Sequence, residues 1–497
     1  MLEPISIDVA SLNLPALLPM AILSVGALAV ICADLAVKGL NRSFLTMITV
    51  LFIILDFGAV IGYNGPSRGF FDVLLVDGIA IVAQVIILVA SAFFLPLSLS
   101  HRHFKEFRMA EFYALFMFMI VGFQFMVVSD NLILIFIGLE TSSLALYTLI
   151  AMHNRAKAFE AAIKYFTMGA LAAGFYGMSA LIFYALTGSV EIHQIERSLM
   201  LQHFEPLIGV LAATVFMLGA LGFKLSLVPS HTWTPDVYEG SSAPLAGYMS
   251  VVPKIAGFVV AMRLFEMLVA SGVVWLEHIL YVAVVLTMTL ANLTALVQED
   301  VKRMLAFSSI SHAGFMMAAI LIGTTQANTA LFLYWTLFMF TNLGAFTMLW
   351  IVRHRKNLWD ERYQHPYTKF SGLVKIMPTT ATIMGIFMFA LAGMPPFSVF
   401  WGKLYLISAA INSEYISLAI IIVLNSAIAV YYYMKLVIYM FLKDPDPVKA
   451  DARLYETNAS TPLKVIVGVA AIITMFAIVF VEPLLTIITK YVAASGF

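Results

Sequence analysis

KLSLVPSHTWTPDVYEGSSAPLAGYMSVVPKIAGF, residues 224–258, sets two lysines into apolar runs on either side of a proline-bracketed turn. The runs before and after it, about 207–230 and 243–270, are each long enough to cross a bilayer as a helix, which takes ~20 residues. Pro229 and Pro235 flank Ser230, His231 and Trp233. A proline removes an amide donor and clashes with the preceding turn, so the helix has to break there. Irregular backbone survives at membrane depth only when protein buries it or it lines a wet cavity. The stretch therefore reads as a broken membrane helix with an ionisable group beside the break.

Composition extends that reading to the whole chain. Of 497 residues, 62% are hydrophobic and 11% charged, against roughly 45–50% apolar and ~25% charged in a soluble domain. Apolar runs fall at about 17–37, 43–63, 78–99, 111–128, 131–152, 161–187, 207–230, 243–270, 275–297, 304–323, 329–352, 378–410, 415–441 and 464–488. The expected fold is an all-α polytopic membrane protein of about 14 transmembrane helices, because a helix satisfies its own backbone in lipid. The first run follows Glu3 and Asp8 and is too long for a cleaved signal peptide. No linker or low-complexity tract divides residues 1–497, so a single membrane domain is expected. The lone cysteine, Cys32, excludes a disulfide framework, a thiolate zinc site and an iron–sulfur cluster. A net charge of zero, with no basic face, gives no reason to expect nucleic acid.

Cation placement tests the span count. With fourteen spans, the loops on one side hold nineteen lysines and arginines and those on the other only Arg68, Arg197 and Lys490. By the positive-inside rule both termini face the periplasmic side. Lys164, Lys224, Lys254, Arg263, Lys403 and Lys435 are left inside spans.

A charge at mid-membrane costs ~2.5–3.5 kcal/mol on insertion scales and marks a partner, water or a function. Glu140, in GLETSSLALY, lies ten residues into the fifth span, roughly 15 Å deep at 1.5 Å per residue. Lys254 lies similarly deep in the eighth span, and Lys224 lies within the seventh, just before VPSHTWTPDVYEG. These three have no easy route to the headgroups and read as functional. Lys164 and Lys435, nearer helix ends, have the plainer reading of snorkelling side chains. Arg263 and Glu266 read as a local pair, and Asp34 and Asp56 as acids facing a neighbouring chain or an interface.

A second break falls at Pro395 and Pro396, just before Lys403 in the twelfth run. Interrupted helices at matching places in two halves point to the pathway of an inverted-repeat transporter. The expected organisation is three N-terminal helices (1–110), one repeat of helices 4–8 (111–270), a second of helices 9–13 (275–441) and a C-terminal helix 14 (464–488). Five helices per repeat make the second copy inverted, with helices 7 and 12 broken.

WTPDVYEG followed by SVVPKIAGF, with VQEDVKRMLAFSSISHAGF (297–315) and LAGMPPFSVFWGKLYL (391–406), resembles the antiporter-like membrane subunits of respiratory complex I, the proton-translocating NADH–quinone oxidoreductase. The form of the motif is similar to the subunit N family rather than its L and M relatives, and the resemblance covers essentially all the spans. It implies proton translocation driven by electron transfer from NADH to quinone elsewhere in the complex. The proton-transfer residues it implies are Glu140 and Lys224 as a charge pair, Lys254 as the central lysine, His231 as a relay and Lys403 toward the exit. Lys164 and His312 also match family positions. It implies no cofactor on this chain, with NADH, flavin, iron–sulfur clusters and quinone on other subunits. The partners it implies are neighbouring antiporter-like and small membrane-arm subunits within the lipid of the cell inner membrane. Lysine suits such work because burial favours its neutral form and a nearby carboxylate its charged form. Two rival readings share the charges: a subunit of a cation/proton antiporter, and a structural subunit that only seals the membrane arm.

Overall fold

A computed structural model of the chain describes residues 12–37, 39–62, 67–100, 105–203, 207–270, 274–354, 363–445 and 455–495. Glu3, Asp8 and seven of the loop cations counted above (Lys38, Arg102, Arg355, Lys356, Arg362, Lys449 and Arg453) lie outside the described residues. Thirteen described helices are long and apolar enough to cross a membrane. The twelfth span adds a fourteenth crossing, made of two half-helices, Pro378–Ala392 and Ser398–Asn412. The last crossing is longer than its apolar run suggests: Thr461–Met475 continues after Phe476 as Ala477–Ala494. Among the described residues, strands are limited to two antiparallel pairs of three residues each, Ser67–Gly69 with Leu74–Val76 and Val352–His354 with Tyr455–Thr457.

Burial sorts the helices into an inner and an outer set. The most apolar windows of the third, eighth, tenth and eleventh spans are 83–100% buried, whereas that of the sixth, Ala156–Thr187, is only 28% buried. The inner four build the centre, and the outer helices present leucine, isoleucine and phenylalanine to lipid or neighbouring chains. Spans four and five cross closely at Gly122 and Gly138. A Cβ on Gly122 would lie 2.6 Å from the Gly138 carbonyl oxygen, so only glycine fits, and the crossing fixes the helix that carries Glu140 two residues on.

The two expected breaks are present. The seventh span runs Leu207–Leu225, turns, and resumes as Trp233–Gly240. Trp233 Nε1 donates to the Phe223 carbonyl at 3.0 Å, Thr234 Oγ1 to Ser226 Oγ at 2.8 Å, and the Val228 amide to Thr287 Oγ1 at 3.0 Å. The first and third of these bonds take up backbone groups that the break frees. In the twelfth span the first half ends at Gly393, in the left-handed region at φ 80°, which a side chain would strain.

The eighth span departs from the continuous helix expected over 243–270. It is built of Ala243–Met249 and Val252–Ala261, followed by a π-turn over Met262–Glu266. Pro253 lacks an amide, so it opens the second piece, and Lys254 follows it directly. The local pair expected between Arg263 and Glu266 is also replaced. Arg263 binds Asp77 through two bonds of 2.9 Å, and Glu266 accepts from Asn328 Nδ2 at 2.9 Å. Asp56 does not face a neighbouring chain: it is fully buried and accepts from Gln124 Nε2 at 2.7 Å.

Candidate functional site

Three buried lysines each stand beside a helix interruption. Lys224 is the last residue but one of Leu207–Leu225, Lys254 the third residue of Val252–Ala261, and Lys403 the sixth of Ser398–Asn412. Interruptions free carbonyls and leave space, so a polar side chain can be housed where a continuous apolar helix would exclude it.

Glu140 and Lys224 lie within electrostatic reach of each other without touching. Lys224 Nζ donates instead to Ser143 Oγ at 3.0 Å and lies 5.4 Å from the centre of the Phe123 ring. One oxygen of Glu140 is buried with no hydrogen-bond partner among the described residues. The expected charge pair is thus open in this structure, with the lysine on a hydroxyl one turn further along the carboxylate's own helix.

Lys254 Nζ donates to Ser309 of the tenth span twice, to its carbonyl at 2.7 Å and its hydroxyl at 2.9 Å. The tenth span carries the polar line onward. Ser308 Oγ bonds Tyr433 Oη, Tyr433 Oη bonds His312 Nε2 at 3.1 Å, and His312 Nδ1 bonds Tyr334 Oη at 2.5 Å. His312 lies within electrostatic reach of both Lys254 and Lys403. Lys403 Nζ has no hydrogen-bond partner among the described residues; it sits 5.2 Å from the centre of the Phe315 ring and against Gly393, where the first half-helix ends.

The remaining two candidates sit apart. His231 is half-buried in the turn of the seventh span, and among the described residues no hydrogen bond joins its imidazole to Lys224 or Lys254. Lys164 lies at the rim, bound to Glu160 at 2.7 Å and Asp236 at 3.1 Å. Arg303 bridges Asp236 at 3.0 Å and Glu239 at 2.5 Å, and Lys302 Nζ donates to the carbonyls of Glu239 and Ser241 at the end of the short helix. Lys157, Glu160, Lys164, Asp236 and Glu239 line a cavity of about 190 Å³ at this rim. Among the described residues no group of three or more His, Cys, Asp or Glu is placed to hold a metal ion.

Sequence reasoning passed over Ser143, Ser309, Tyr334 and Tyr433. Ser143 had a signal, since it stands three residues from Glu140 and so shares its helix face. For the tyrosines no signal was available, because only the packing of spans eleven and thirteen on span ten brings them to one imidazole.

A polytopic bundle whose interrupted helices hold buried ionisable groups is a membrane transport protein of the broken-helix class. The profile of the NADH:quinone oxidoreductase/Mrp antiporter transmembrane family matches residues 129–429, and the chain belongs to that family. NADH-quinone oxidoreductase subunit N of Sulfurimonas denitrificans is 59% identical over the whole of both chains. The same subunit of Helicobacter hepaticus is 47% identical over 99% of each. Among solved structures, a chain of respiratory complex I from Thermus thermophilus with bound aureothin matches with a TM-score of 0.77, 27% identity and coverage of 94% of this chain and 98% of that one.

Proposed function

We propose that the chain is a proton-translocating, antiporter-like subunit of the membrane arm of an NADH–quinone oxidoreductase, the subunit-N position of complex I. The observation that carries the reading is the row of buried lysines, Lys224, Lys254 and Lys403, each at a helix interruption, with Ser309 bound to the second and a hydrogen-bonded group of Ser308, Tyr433, His312 and Tyr334 lying in the stretch between the second and the third. The likeness to subunit N along the full length of its relatives supports it.

In this reading Glu140 and Lys224 act as the switching pair. When a cation on a neighbouring subunit draws Glu140 away, Lys224 releases its proton toward Lys254, with His231 and water covering the gap. The hydroxyl and imidazole line carries it to Lys403, from which it leaves. Lys164 belongs to the charged rim where protons are collected. Residues 111–270 and 275–441 serve as two inverted repeats that place these lysines in line. The redox cofactors sit on other subunits, and the chain spans the cell inner membrane with both termini periplasmic, as the cation bias supports.

The test is Lys224→Ala in the assembled complex. Proton pumping in membrane vesicles should fall while NADH-oxidising subunits still co-purify. A normal proton-to-electron ratio would remove Lys224 as an obligatory carrier.

A further inference from the structure

We propose that Ser143 is the second seat of Lys224: a neutral acceptor that holds the ammonium while the lysine is parted from Glu140. The inference rests on the proton-translocating reading above and names the group that makes the parted state possible.

A buried ammonium leaving a carboxylate needs another acceptor, since an unpaired charge away from water is far costlier than a hydrogen-bonded one. Ser143 supplies it. Its hydroxyl proton is committed to the Leu139 carbonyl four residues back, at 2.6 Å, so the oxygen turns its lone pairs outward. Lys224 Nζ meets that oxygen at 3.0 Å. Ser143 is buried, and the Phe123 ring covers the ammonium from the side. Gly257 of the eighth span closes the floor: a Cβ there would lie 3.6 Å from Lys224 Cγ and 2.8 Å from Leu225 Cδ2.

The two seats are one helical turn apart. Glu140 and Ser143 stand at positions i and i+3 of Leu132–Ala151, facing one lysine on the neighbouring span. Tyr147 stands one turn further along the same helix. Gly169 makes room for that phenol, because a Cβ at 169 would fall 1.9 Å from Tyr147 Oη. A carboxylate seat, a hydroxyl seat and a phenol thus lie along one face of the fifth span. An aliphatic hydroxyl takes no proton from an ammonium, so Ser143 is a positioning residue and not a carrier. It lets Lys224 rest away from Glu140 long enough to pass its proton to another group.

The experiment uses the intact complex in vesicles at matched assembly. Ser143→Ala and Ser143→Cys both remove the strong acceptor, and cysteine keeps the volume. Both should slow pumping-coupled turnover roughly tenfold, the size expected on losing one hydrogen bond to a charged group. The solvent deuterium isotope effect on turnover should rise, because proton release at Lys224 becomes limiting; a packing defect leaves it unmoved. Ser143→Thr restores the hydroxyl and should recover both readings. Wild-type turnover and isotope effect in Ser143→Ala or Ser143→Cys, with Lys224→Ala inactive, overturn the inference alone, as does Ser143→Thr behaving like alanine. Normal pumping by Lys224→Ala would instead overturn the reading on which it rests.

Discussion

Lys403→Met separates stability from function in one substitution. The ammonium is buried, 4% exposed, and has no hydrogen-bond partner among the described residues, so its removal breaks no hydrogen bond. What it loses is the contact with the Phe315 ring, worth ~2 kcal/mol when desolvated. What it gains is relief from housing a charge in the membrane, ~2.5–3.5 kcal/mol. Methionine fills a similar volume, so the balance is about 0.5–1.5 kcal/mol on the stabilising side. Assembly and thermal midpoint should hold or rise slightly while pumping in vesicles fails for want of the last carrier. Lys403→Arg is the companion. Its guanidinium stays charged at any working pH, and it must fit where a Cβ on Gly393 would already lie 3.1 Å from the lysine nitrogen. It should assemble poorly or pump poorly. Wild-type pumping by both variants in assembled complex would show that the proton does not pass through Lys403.

Arg263→Met should destabilise the fold by ~3–5 kcal/mol, because it strands Asp77 as a buried carboxylate. The double variant Arg263→Met with Asp77→Asn should recover much of that, read as the amount of assembled complex; equal losses in the single and double variants would refute the pairing argument. For topology, cysteine at exposed Arg197 should react with a membrane-impermeant thiol reagent added to intact cells, and cysteine at exposed Lys375 should not. The reverse pattern would invert the proposed orientation.

The crossings were legible because each is a run of apolar residues bounded by charge, a pattern that lipid imposes directly. The breaks in spans seven and twelve were legible for a local reason too: paired prolines leave a helix no way through. The break in the eighth was not, because a single proline such as Pro253 also suits the first turn of a helix, and nothing nearby says that a helix has just ended. Arg263 was assigned the wrong partner since sequence offers only near neighbours, whereas Asp77 lies 186 residues away. Glu140, Lys224, Lys254 and Lys403 stood out because charge in an apolar run is costly. Ser143 did not, because a serine bonded to the carbonyl four residues back is ordinary in a membrane helix and shows nothing of what its lone pairs face.

The sixth span measures the bilayer. Its 32 residues, Ala156–Thr187, rise about 48 Å, well beyond a hydrocarbon core of ~30 Å. Its charges stand at one end: from Lys164 to Thr187 the rise is about 34 Å, which matches that core and sets the Lys164–Asp236 bridge at headgroup level. Lipids with longer acyl chains would submerge the bridge or force the helix upright, and shorter ones would bare a turn of apolar helix. The depth of the charged rim is therefore expected to depend on membrane thickness. Turnover of the complex reconstituted across a series of chain lengths should pass through a maximum, one that shifts toward thicker membranes when Lys164 is replaced by leucine.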